Sequence, residues 1–186
     1  TSTVTNLGVD LRQPWAEEIQ IPPSGALEEF ERKLVRNDYP MQALWEMGIR
    51  LLRIPLSDFL DSRIRRRIEY LTEIGHLFQA YVYGAPNKQV RDILKFNAGI
   101  LHSLEVVCHP TRIDETLHQL KSSLGIGTKL IVSRIDRKTD HQSTNGRFNH
   151  IVGHGFTLHD LREMIEIRRR HPEVDGMSIR VARDLC

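Results

Sequence analysis

The sequence predicts a parallel α/β fold whose sheet curls into an incomplete barrel of about six βα units. Two observations carry this. An amphipathic helix, a glycine and a short strand recur along the chain, with Gly48, Gly75, Gly127, Gly176 and, less clearly, Gly99 at the junctions. The junctions up to Gly127 are roughly 27 residues apart, the span of a βα unit, and the last interval is longer because of an insertion. Within each strand one parity is apolar and the other polar: Phe78, Ala80 and Val82 alternate with Gln79, Tyr81 and Tyr83, and Leu104, Val106 and Cys108 with Ser103, Glu105, Val107 and His109.

The elements follow in chain order. Val4, Leu7, Val9 and Leu11 mark a first strand over 3–11. Pro14, Pro22 and Pro23 make 13–24 a loop. A helix is expected over 26–47, capped by Ser24 and broken in two by Pro40. A strand at 49–57 leads to a helix at 59–74, with Leu60, Ile64, Ile68 and Leu71 on one face. Strand 77–84 and helix 88–101 follow, the helix capped by Asn87. Strand 103–109 then precedes helix 113–124, with Thr111 as its cap. Strand 128–136, an insertion at 137–156, helix 158–170 and strand 177–184 complete the series. Thr157 and Asp160 form a variant capping box at the last helix.

The polar parity separates a curled sheet from an open one. Strands covered by helices on both faces read as continuous apolar runs. Here one face suits helices and the other suits a polar lumen. In this the whole chain resembles the (β/α)-barrel, TIM-barrel-like enzymes at the level of fold. That resemblance implies a site at the carboxyl ends of the strands and implies no particular reaction. A full barrel has eight strands in about 250 residues, whereas this chain of 186 residues supplies about six. An incomplete barrel, a part of a longer polypeptide and a twisted open sheet all fit that count.

The lumen reading gathers Asp10, Arg12, Arg53, Tyr81, Tyr83, Glu105, His109, Arg134, Asp136, Arg180 and Asp184. Several arginines facing one space need carboxylates or a bound anion, and the guanidinium fork suits both. The expected function is therefore the binding of an anionic small molecule, with Arg53, Arg134 and Arg180 as clamps. Glu105 or His109 is the acid/base group, with hydrolase or lyase chemistry. The alternative is a non-catalytic module of a larger multidomain protein, for example one attached to a metallophosphoesterase, in which ion pairs merely fill the lumen.

The insertion adds His141, His150 and His154, followed by His159. His150 and His154 have zinc-ligand spacing only on a helix, and Gly153 and Gly155 argue against one. A substrate-covering loop is expected instead. His154–Gly155–Phe156 superficially resembles the Gly–His–x–His element of calcineurin-like phosphoesterases, but Phe156 stands where that element has its second histidine. No such metal centre is expected. There is no P-loop, GxGxxG or GxSxG, so no cofactor is identified.

Composition narrows the partners. With 26 basic and 24 acidic residues the net charge is +2, too small to draw nucleic acid. The clusters Arg63, Arg65, Arg66, Arg67 and Arg168, Arg169, Arg170 lack interleaved aromatics and read as solvated helix faces. No apolar run approaches the roughly 20 residues of a membrane span. Two cysteines offer no disulfide framework. A cytoplasmic protein is expected, with further domains of the same polypeptide as the other candidate partners.

Overall fold

The computed structural model of the chain describes residues 7–11, 15–16, 18–21, 33–36, 38–120, 122–135 and 154–181. Six strands form one all-parallel sheet curled into a half-barrel: β1 (Gly8–Asp10), β4 (Leu51–Pro55), β5 (Leu77–Tyr83), β6 (Leu101–Cys108), β7 (Lys129–Arg134) and β8 (Gly176–Met177), in that spatial order. The connecting helices are α1 (Tyr39–Glu46), α2 (Ser62–Glu73), α3 (Lys88–Phe96), α4 (Ile113–Leu120) and α5 (Leu161–Arg170). The expected α/β class, the count of six strands and the incomplete barrel are all present. None of the described helices is long and apolar enough to cross a membrane.

The first connection differs from expectation. Residues 18–21 and 33–36, read as loop and helix, form an antiparallel pair, β2 (Glu18–Ile21) with β3 (Lys33–Arg36). Alternation over Glu18, Ile19, Gln20 and Ile21 is a strand pattern that the neighbouring prolines obscured. Pro40 does not break a long helix; it lies in the first turn of α1. There its missing N–H costs nothing and its fixed φ favours the helix.

Helix ends are set locally. Asp61 caps α2 by accepting from the Arg63 and Ile64 amides, and Asn87 caps α3 through the Val90 amide at 2.9 Å. The α2 exit needs Gly75, whose φ of +98° reverses the chain into the left-handed region. The His76 amide then reaches Leu71 O and the Gly75 amide Thr72 O, each at 2.9 Å. These bonds satisfy carbonyls that the helix end would otherwise orphan.

The apolar parity builds the core. Leu52 and Ile54 of β4, Phe78 and Ala80 of β5, Leu104 and Val106 of β6, and Leu130 and Val132 of β7 are all buried on the convex, helix-covered face. Ile68, Leu94, Leu117, Leu120 and Ile167 of the helices belong to the same cluster. Each of these side chains larger than alanine contributes about 1.5–3 kcal/mol on leaving water.

The last strand is shorter than expected. After pairing with Ile131 and Val132, the chain turns at Ser178 to a new neighbour, residues 154–156. The Gly155 amide bonds Arg134 O (2.7 Å), the Phe156 amide Ser178 O (2.8 Å) and the Arg180 amide Phe156 O (2.7 Å). The end of the insertion is thereby wedged between β7 and the final segment, with Phe156 fully buried as its anchor.

Candidate functional site on the concave face

Register decides which side chains meet. Neighbours in a parallel ladder share a face. Asp10 pairs with Arg53, Arg53 with Gln79, Gln79 with Ser103, and Tyr81 with Glu105. This row lies on the concave face, centred on Glu105, which is 1% exposed. A carboxylate in that position requires partners, and three residues provide hydrogen bonds, with His154 close by. Arg53 Nε donates to Oε2 at 2.7 Å and Gln79 Nε2 donates to the same oxygen at 3.1 Å. Ser178 Oγ donates to Oε1 at 2.9 Å, and His154 Nδ1 lies 3.6 Å from Oε1. Ser103 supports Gln79 from below, its Oγ 3.4 Å from Oε1 of the amide.

Arg53 ties the cluster together. Its Nη1 donates to Asp10 Oδ2 at 3.0 Å, its Nη2 lies 3.2 Å from His154 Nε2, and its guanidinium stacks 3.9 Å over the Tyr81 ring. A guanidinium only donates, so Nε2 of His154 is an acceptor and the ring proton sits on Nδ1. Ser133 Oγ, 3.0 Å from Nδ1, receives it, and Glu105 Oε1 lies 3.6 Å from the same nitrogen. The Ser133 hydroxyl and the Glu105 carboxylate thus crowd the same ring nitrogen. A nucleophilic triad places them on opposite nitrogens, so Ser133 is not an activated nucleophile.

The electrostatics agree with this tautomer. Burial lowers the His154 pKa, Arg53 and Arg180 lower it further, and Glu105 opposes them; the net direction is down and the imidazole stays neutral. Burial alone raises the Glu105 pKa, yet the charge and hydrogen bond of Arg53 hold the carboxyl below the usual carboxylate range. Burial pushes the Tyr83 phenol up. Tyr83 stands edge-on to both Tyr81 and His154, with ring centroids 5.9 and 6.0 Å apart, and its buried hydroxyl has no hydrogen-bond partner among the described residues.

The residues expected at the lumen separate into groups. Asp10, Arg53, Tyr81, Tyr83 and Glu105 come together. Arg180 is exposed, next to the chain that carries His154, and close enough to depress its pKa. Arg134 does not join them. Glu105 pairs with Ile131 and Val107 with Ser133, so Ile131 and Ser133 share the concave face and Arg134 takes the other. Arg134 Nη1 instead binds Asp160 and Glu163 beside α5, at 2.6 and 2.7 Å. His109 is a local cap: its Nδ1 lies 2.9 Å from Thr111 Oγ1 and accepts from the Thr111 amide at 3.3 Å. Arg12, Asp136, Asp184, His141 and His150 lie outside the described residues.

Five contributors lie outside the set expected at the lumen: Gln79, Ser103, Ser133, Ser178 and His154, the last expected only in a substrate-covering loop. Gln79 was within reach, because it shares the parity of Tyr81. Nothing local marks His154 as a partner of Glu105. Its place depends on Gly155, whose φ is +114°; a Cβ there would stand 3.0 Å from the Arg180 amide nitrogen and 3.1 Å from its Cβ. Among the described residues, no group of three or more His, Cys, Asp or Glu side chains is arranged to hold a metal ion. Comparison of the chain with protein-family models, with curated proteins and with solved structures returns no match.

Proposed function

We propose that the concave face of the half-barrel receives a small anionic molecule near the carboxyl ends of its strands and moves a proton on it. This is hydrolase- or lyase-type acid/base chemistry on a TIM-barrel-like scaffold. The observation that carries the reading is the convergence of Arg53, Glu105 and His154 on one face. In this reading Glu105 is a positioning residue, because its oxygens are occupied by Arg53, Gln79 and Ser178. His154 is the acid/base group. It is neutral without ligand, and a nearby anion favours its protonated form. Arg180 is the exposed cation that meets the anion.

The test is a titration of His154 followed by NMR, with and without sulfate in the tens of millimolar. The titration midpoint is expected to rise with sulfate, and Arg180→Ala is expected to remove most of that rise. A midpoint that ignores sulfate overturns the anion site.

One observation favours the alternative of a non-catalytic, filled lumen. All three guanidinium nitrogens of Arg53 already have protein partners, in Glu105, Asp10 and His154. Replacing a buried ion pair by apolar groups is often neutral or stabilising when the pair is structural filler. The double variant Arg53→Met, Glu105→Leu then keeps its stability, and sulfate leaves His154 untouched.

A further inference from the structure

A cavity of about 440 Å³ lies between α2 and α3 and shares no residue with the Glu105 network. That volume is within the range of small-molecule sites. Part of its wall is apolar. Phe59, from the 3₁₀ turn Leu56–Leu60 after β4, is 1% exposed, whereas Phe96 on α3 is 87% exposed. Helical spacing explains the α3 side of the wall. Lys88, Asp92 and Phe96 recur one turn apart and share a face with Ile93. Leu94 turns into the core. Phe96 lies about 200° further around the helix, so it cannot follow, and its ring is left at the cavity.

Charge defines what the cavity would hold. Arg65 lines it from α2 and Lys88 from α3. Neither side chain forms an ion pair or a hydrogen bond with a described residue. Asp92 is the one acidic side chain in the wall. It stands one turn after Lys88 and offsets that ammonium at most. The carboxylates nearest Arg65 on its own helix do not compensate it. Asp61, one turn before, is held by Arg63 at 3.5 Å, and Glu69, one turn after, makes no ion pair with it. The wall therefore carries one unmatched positive charge beside its aromatic rings. A guanidinium takes a carboxylate in two parallel hydrogen bonds, and Arg65 has its fork free to do so. The arginine-rich stretch of α2, which its sequence marks only as a solvated face, here borders a concave surface.

We propose that the α2–α3 cavity binds a small aromatic monocarboxylate. Its carboxylate meets Arg65 and Lys88, and its ring lies against Phe96 and Ile93. The single unmatched charge fits a monoanion. The exposed ring of Phe96 fits an aromatic body, because paired rings gain beyond the area they bury.

The test uses the full chain with methyl-labelled isoleucine and methionine. The probes are phenylacetate and phenylacetamide, which has the same shape but no charge. Phenylacetate is expected to shift the Ile93 methyl saturably and to leave Met164 on α5 unchanged. The amide is expected to bind about tenfold more weakly, the measure of a charge-assisted hydrogen bond. The double variant Arg65→Gln, Lys88→Gln should bring the two probes to equal affinity; both side chains are exposed, so the methyl spectrum of the core should stay as it is. Phe96→Leu should weaken phenylacetate about fivefold, the measure of one aromatic pair. The absence of any saturable Ile93 shift overturns the site. Equal affinity of acid and amide for the unsubstituted chain overturns the role of the two cations, and this comparison needs no variant to fold. An unchanged affinity in Phe96→Leu overturns the aromatic class of the ligand.

Discussion

The two faces of the same strands follow opposite physical rules. On the convex face, Leu52, Ile54, Leu104 and Val106 are fully buried, and their contacts depend on how closely neighbours pack but not on their orientation, because dispersion and the hydrophobic effect are non-directional. On the concave face, one residue along the same strand, Glu105 is just as buried but depends on three directional partners drawn from β4, β5 and the segment after β8, with His154 at the end of the insertion 3.6 Å away. The first face tolerates change in proportion to volume. The second tolerates it only when a whole set of partners changes together. The convex face holds the sheet, and the concave face fixes the relative placement of elements distant in sequence.

Neighbours on opposite faces of β6 offer the sharpest way to break this contrast. Glu105→Ala leaves Arg53 with half of its charge compensation and Gln79 and Ser178 without an acceptor. It is expected to cost about 3–5 kcal/mol in urea unfolding. Leu104→Ala should cost about 2–5 kcal/mol as a simple cavity. The pair differs in rescue: if the ion pair is structural filler, adding Arg53→Met to a Glu105→Leu background recovers stability, whereas no single partner restores Leu104→Ala. Failure of the rescue would mean that Arg53 carries a role beyond compensating Glu105.

Gly155→Ala comes next. Strain at a positive φ, together with the approach to Arg180, is expected to cost about 1–3 kcal/mol. It should also move His154, visible as a changed NMR titration, while the convex face keeps its methyl shifts. An unaltered His154 titration would show that the wedge at 154–156 does not depend on this glycine.

A smaller effect separates the concave face from Asp58 in its pH dependence. The Glu105 pKa is lowered in the folded state, so its stability is present above about pH 4.5, its ordinary value, and is lost as pH falls through the folded pKa. The His154 pKa is lowered from 6.5, so stability again declines as pH drops below that value toward the folded pKa. Asp58, which accepts from Trp15 Nε1 at 3.0 Å, has the opposite sign. Burial raises its pKa from 3.8 to about 6, so its contribution is complete below pH 3.8 and is lost as pH rises through 6. Asp58→Asn should flatten the decline between these values in urea melts, and Glu105→Gln should flatten the acid limb instead. The smallest change expected is at the exposed Asp114, which joins Arg170 and His171 across α4 and α5. Asp114→Ala should cost less than about 1 kcal/mol and should weaken further in salt.

Much of this was legible in the residues. Alternation at 77–84 and 103–109 identified the buried face of β5 and β6 correctly, because Leu104 has polar neighbours on both sides and Phe78, Ala80 and Val82 alternate with Gln79, Tyr81 and Tyr83. Glu105 stood out for the same reason. The strand at 128–136 was ambiguous: Leu130, Ile131, Val132 and Ile135 are apolar on both parities, and Arg134 was assigned to the lumen. The pairing of Glu105 with Ile131 resolves it the other way. The prolines around 18–36 hid a hairpin-like pair, since loop residues dominate the composition where the strands themselves are only four residues long.

The sequence by itself determined the parallel α/β class, the six strands, the helix caps at Asn87 and Thr157, and the amphipathic faces, because each rests on interactions within a few residues. Only the tertiary structure decided that Arg53 and Glu105 bond, that Arg134 turns to α5, and that His154 reaches the centre of the sheet. The physical reason is register. A one-residue shift in a strand exchanges its two faces, and a histidine 49 positions after Glu105 in the chain reaches it only because Gly155 and Phe156 lock the returning segment between two strands.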